Sequence, residues 1–193
     1  EDPLGLGLPP RSPRRRLPRR AGRSLLDSEI ASGRKAEAAS AAARLLERYV
    51  ATEEKELAVA LVDEVREPLL AELPARFFLG AATAREKSGD AEAAYAELES
   101  LAATRPGDPA AVRAAMRMAA LARETGREDD ALDLLAWAKR HPACEEGYRE
   151  AASRAEAELT AATGRPAGGA RPLPARRFAA QGEARTLPAH ADR

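Results

Sequence analysis

The chain is poor in the residues that anchor several common architectures. Cys144 is its one cysteine, which rules out an intrachain disulfide and fits a reducing compartment such as the cytoplasm. Asparagine is absent and aromatics make up only 4% of the 193 residues, a composition that argues against twisted sheets. The longest apolar runs, such as Leu57 to Val62, fall far short of the ~20 residues a membrane-crossing helix needs, and the first 24 residues hold no signal-peptide stretch. No GxxxxGK[ST] loop is present to cradle phosphates, and no loop alternates oxygen ligands ahead of a distal glutamate as calcium requires. Structural zinc takes four ligands. His141 and Cys144 offer two, and the other histidine, His190, lies in the C-terminal tail. His141 is also badly placed across Pro142 to act as a base for Cys144. The sequence therefore predicts no catalytic residue, no metal and no cofactor.

What the chain has in quantity is alanine and charge. Alanine is the dominant apolar residue, and it favours closely packed helices. The formal net charge of zero hides a division. Residues 1–24 set seven arginines against Glu1 and Asp2, for +5, and residues 164–193 set six against Glu183 and Asp192, for +4. The middle, 25–163, carries −9. Both ends are rich in proline and glycine and have no 3.6-residue apolar period, so they predict disordered basic tails at 1–24 and 164–193.

Between the tails, apolar residues recur at helical spacing in seven or eight segments. Ala38, Ala42 and Leu45, then Leu57, Leu61 and Val65, then Ala94, Leu98 and Leu101 each mark one buried helix face. Asp108-Pro109 supplies an N-cap side chain followed by a proline at the first helical position, where a missing N–H has no partner to lose. Gly33, Gly89 and Gly126 fall between periodic segments and predict left-handed turns joining helices into hairpins. The stretch Thr52 to Leu73 reads as a degenerate hairpin in which Pro68 kinks the helix or starts a short new one at Glu67. Trp137 reads as half-buried packing.

Counting from Gly89, Ala94 follows at +5, Leu98 and Leu101 at +9 and +12 and Pro106 at +17, with Phe78 at −11. Gly126 repeats the register with Ala131, Leu135 and Ala138, its proline one residue early at Pro142; Gly33 repeats it more loosely with Ala38, Ala42 and Leu45. This pattern resembles the tetratricopeptide repeat (TPR) family. The family's tyrosine, three residues after its small first-helix residue, is Arg85 and Ala122 here, and the glycine spacings of 56 and 37 depart from the family's 34-residue period. The resemblance implies an all-α stack of antiparallel helical hairpins, a TPR-like α-solenoid, over about 25–142, with the Tyr148 helix as a cap.

It further implies a non-catalytic scaffold that binds a protein or peptide partner in a concave groove. The groove would be lined by Arg76, Leu79, Thr83 and Glu86 from one unit and Arg113, Met116, Ala120 and Arg123 from the next, suiting an extended segment with acidic and apolar side chains. The subset of the family that clamps a chaperone's C-terminal carboxylate uses asparagine and lysine at such positions. Leu79 and Thr83 stand there instead, which argues against that ligand. An alternative function is that of a cytoplasmic appendage of a membrane protein, tethered to an anionic surface through Arg11–Arg23. Nucleic-acid binding ranks below both, because the basic arms flank an acidic body and contain Phe178 as their lone aromatic.

Overall fold

The structure is a computed structural model that describes residues 19–164. Among those residues it is all-helical: α1 (Arg19–Ala31), α2 (Lys35–Ala51), α3 (Lys55–Leu69), α4 (Ala75–Ser88), α5 (Ala91–Thr104), α6 (Pro109–Glu124), α7 (Glu128–Arg140) and α8 (Glu146–Thr163). No helix among the described residues is long and apolar enough to cross a membrane. Of the tails expected at 1–24 and 164–193, residues 1–18 and 165–193, including Arg11 and His190, lie outside the described residues.

Local chemistry sets the helix boundaries. Asp108 Oδ1 accepts from Ala110 N at 2.7 Å ahead of Pro109, and Asp90 Oδ1 accepts from Ala93 N at 2.9 Å, so α6 and α5 each start on a carboxylate cap. Gly33, Gly89 and Gly126 all sit at positive φ, as expected for hairpin turns. In each case the next residue's N–H reaches back across the turn: Arg34 N to Glu29 O, Asp90 N to Arg85 O, Arg127 N to Ala122 O. A fourth turn has the same hydrogen bonding without a glycine. Glu53 holds φ at 60°, and Glu54 N donates to Tyr49 O at 2.9 Å. A left-handed residue with a Cβ is strained by roughly 1–2 kcal/mol. Glu53→Gly is therefore expected to raise stability by about 1 kcal/mol, since the ion pair it removes, Lys87 Nζ to Glu53 Oε1 at 3.9 Å, is exposed and contributes little. A thermal melt reads this directly, and a lower midpoint would show that the carboxylate matters more than the strain.

This turn corrects the expected organisation. With Glu53 as a turn, Thr52–Leu73 is not a degenerate hairpin; it is the end of one turn, a single helix α3 and a short loop. Pro68 starts no new helix at Glu67, because it lies in the last turn of α3, where the helix stops one residue later. The spacing of 56 between Gly33 and Gly89 divides at Glu53. The positive-φ residues that end α2, α4, α6 and α8 are Glu53, Gly89, Gly126 and Gly164, at successive intervals of 36, 37 and 38. The N-terminal boundary also moves. α1 begins at Arg19, inside the arm expected to be unstructured, because the last proline before it is Pro18 and Arg23 then pairs with Asp27 and with Glu64 on α3.

Every helix packs on its chain neighbours. In addition the backbones of α2 and α4, of α4 and α6 and of α6 and α8 approach closely, whereas those of α3, α5 and α7 do not approach one another, and only side chains such as Arg66 bridge α3 and α5. The helices thus form two rows: an even row with backbones close together, and a looser odd row. α2, expected to be the second helix of the Gly33 hairpin, belongs to the even row as the partner of α3. Small residues allow the close approach. A Cβ added to Gly80 on α4 would lie 3.3 Å from Leu46 Cδ2 on α2, and about half of the buried apolar residues are alanine. Phe77 and Phe78, both fully buried, are the largest core side chains.

Candidate functional site

The even row carries all of the residues expected to line a groove. On α4, Arg76, Leu79 and Thr83 recur at intervals of three and four, as do Arg113, Met116, Ala120 and Arg123 on α6, so each set shares one helix face. The two faces meet through Arg117. This α6 side chain donates from Nη1 to Leu79 O at 3.0 Å and from Nη2 to Glu86 Oε1 at 2.7 Å. Leu79 and Met116 are half-buried against the core, Ala120 is exposed, and Thr83 is tied to its own helix, Oγ1 to Leu79 O at 2.9 Å.

The arginines differ in their commitments. Arg76 lies 3.7 Å from Glu47 on α2, with both side chains about half exposed, so this pair is weak. Arg113 and Arg123 are exposed and make no ion pair or hydrogen bond among the described residues. Two positions on this face are not evident from the sequence. Glu47 was missed because α2 had been placed in the other row, and Arg117 because its partners stand 31 and 38 residues away and meet it only once α4 and α6 stack. Val50 stands three residues before Glu53, as Glu86 does before Gly89 and Arg123 before Gly126, so it shares this face, and its carbonyl accepts from Lys87 Nζ at 3.1 Å.

Between the C-terminal ends of α4 and α6 the face deepens into an open depression of about 290 Å³. Glu86, Gly89 and Ala91 line one side and Ala120, Leu121 and Glu124 the other, with Arg117 between them. Arg117 is already engaged with Glu86 and Leu79, so the charge left uncompensated there among the described residues is the carboxylate of Glu124.

Elsewhere the polar groups serve packing. His141 is buried, its Nε2 donating to Pro106 O at 2.6 Å while Nδ1 accepts from Ala143 N at 3.1 Å, an arrangement that fixes the tautomer and ties the α5–α6 loop to the α7–α8 loop. Its ring leans on half-buried Trp137 with centroids 4.8 Å apart. With both nitrogens engaged by backbone, His141 is available neither as a base for Cys144 nor as a ligand. No group of three or more metal-binding side chains occurs among the described residues. Across the odd row, Arg66 of α3 reaches α5, bonding Glu97 Oε1 at 2.8 Å and Ser100 Oγ at 2.7 Å. Glu97 is 1% exposed, and burial pushes its carboxyl above the usual range against the opposing pull of Arg66 and Arg85. Almost without exposure and bonded to Arg66 across the two helices, it is part of the packing. In comparisons with protein-family models, curated proteins and solved structures, none matches the chain.

Proposed function

We infer that the protein is a non-catalytic scaffold, a TPR-like stack whose even-row face holds a segment of a partner protein. The observation that carries this reading is the difference in spacing between the two rows. A stack whose α2, α4, α6 and α8 lie closer together than α3, α5 and α7 curves toward the even row, and such a concave face is where helical-repeat proteins present extended binding surfaces. The register supports it as well. Counted from Glu53, Ala58, Val62 and Val65 take the +5, +9 and +12 positions, and Tyr49 falls where the repeat family carries its tyrosine. Leu79 and Met116 offer apolar contact, while Arg113 and Arg123, uncommitted within the described residues, offer charge-assisted bonds to acidic side chains.

A photo-crosslinking residue placed at Ala120 is expected to capture a partner from cell extract, and one at Ala96, exposed on odd-row α5, is not. Reversing Arg76, Arg113 and Arg123 together to glutamate should abolish capture from Ala120 while changing stability by less than about 1 kcal/mol, because exposed charges contribute little to folding. Equal capture from both positions, or undiminished capture by the triple variant, would refute the groove.

A further inference from the structure

We propose that the segment following α8, residues 165–177 with Arg165, Arg171, Arg176 and Arg177, docks in cis into the α4–α6 depression, covering the partner face of its own chain. The idea rests on the reading of the even row as that face and adds its regulation.

The depression suits an arginine. Ala91, Ala120 and Leu121 give an apolar wall against which a long aliphatic stem can lie, and Glu124 supplies a carboxylate for the head group. Its one cation, Arg117, is held by Glu86 and by the Leu79 carbonyl, so it does not repel a second guanidinium as a free charge would.

The surroundings favour the same occupant. The depression opens at the edge formed by the last turns of α2, α4 and α6, the turns after them, and the first turns of α3, α5 and α7. That edge holds ten carboxylates against six lysines and arginines. The opposite edge, defined the same way, holds seven against eight. A basic segment is therefore drawn to one end of the stack.

The chain leaves α8 at that end. α7 starts at the acidic edge and runs 13 residues away from it, ~20 Å, and α8 returns over 18 residues, ~27 Å, to bring Gly164 back. α8 packs on α6, and packed helices lie ~8–10 Å apart, so the depression is about one and a half helix spacings from the exit. Seven extended residues span ~20 Å, which puts Arg171 within reach of it. Residues 164–193 carry +4.

The test uses the full chain with Cys144→Ser and Ala179→Cys, a nitroxide label on the new thiol, and amide spectra recorded with the label oxidised and reduced. Oxidised label should selectively broaden the signals of Gly89 to Ala91 and Ala120 to Glu124. The broadening should vanish in Glu124→Lys, in Arg171→Ser/Arg176→Ser/Arg177→Ser, and at high salt, where exposed charges are screened. Unchanged signals at these amides, or broadening that survives both variants, would overturn the proposal. So would broadening seen only when labelled and isotope-enriched chains are mixed, which would place the segment on a second copy. Broadening in the full chain with no partner captured from Ala120 even in Arg171→Ser/Arg176→Ser/Arg177→Ser, whose face is left uncovered, would keep the docked tail and remove the scaffold reading; capture without broadening would do the reverse.

Discussion

Replacing Phe78 by alanine should lower the unfolding free energy by about 3–5 kcal/mol, the range that loss of a buried aromatic side chain costs. Phe78 has no solvent exposure and meets Phe77 edge to face, ring centroids 6.1 Å apart and planes at 89°. Edge-to-face contact adds about 0.5–1.5 kcal/mol beyond area burial. The larger reason is the surrounding composition. A cavity is cheap when neighbouring side chains swing into it, but about half of this core is alanine, which has no rotamer to change. Closing the gap would require the backbones of α2, α3, α5 and α6, all packed on α4, to move together. Phe78→Leu keeps most of the volume and should cost under about 1.5 kcal/mol. Urea denaturation of the two variants separates these values. A loss below about 1 kcal/mol for the alanine variant would mean that α4 does not organise the core as described.

How far the sequence reveals this fold depends on whether a feature is local. The glycine turns, the Asp108-Pro109 start of α6 and the hairpins α4–α5 and α6–α7 are set by neighbouring residues, so periodicity and caps expose them. The turn at Glu53 stays hidden because its left-handed backbone is imposed by the packing of α2 on α3 and α4, and glutamate carries no signal for it. Missing that one residue put α2 in the wrong row and left Glu47 unread. The groove residues on α4 and α6 share their helix faces by simple spacing, but which arginines are committed could not be seen. Arg76 finds Glu47 and Arg117 finds Glu86 across helices, and both partnerships depend on the stacking. Glu97 was more legible than it looked. It falls on the same face as Ala94 and Leu101, an acid in an apolar stripe, and such a residue on a core face calls for a cation from another helix.

That residue carries the second large effect. Glu97→Ala leaves a void between α5 and α3 and deprives Arg66 of its carboxylate, and breaking a buried pair costs about 3–5 kcal/mol when the survivor stays dry. Arg66 is 36% exposed and can turn to water, so about 2–4 kcal/mol is expected. Glu97→Gln behaves differently. It keeps the volume and an oxygen for Arg66 while removing a charge that burial disfavours. The sign follows from the raised carboxyl pKa: the folded protein binds this proton more readily than the unfolded chain. The stabilisation linked to it is fully present below the unfolded pKa and is lost as pH rises through the folded one. Above the folded pKa the wild type therefore bears the cost of a buried anion with only one of its oxygens bonded, since Oε2 has no hydrogen-bond partner among the described residues. The glutamine variant should melt no lower than wild type at pH 7, and its advantage should shrink as the pH is lowered and Glu97 takes up its proton. Arg85 and Asp63 also face this carboxyl, Arg85 opposing the shift and Asp63 reinforcing it, so Asp63→Asn should narrow the difference between glutamate and glutamine. Melting curves of the wild type, these three variants and Asp63→Asn/Glu97→Gln, from neutral to acid pH, decide the matter. If Glu97→Gln falls at neutral pH as far as Glu97→Ala, the ionised pair with Arg66 is a net source of stability, and the desolvation argument fails.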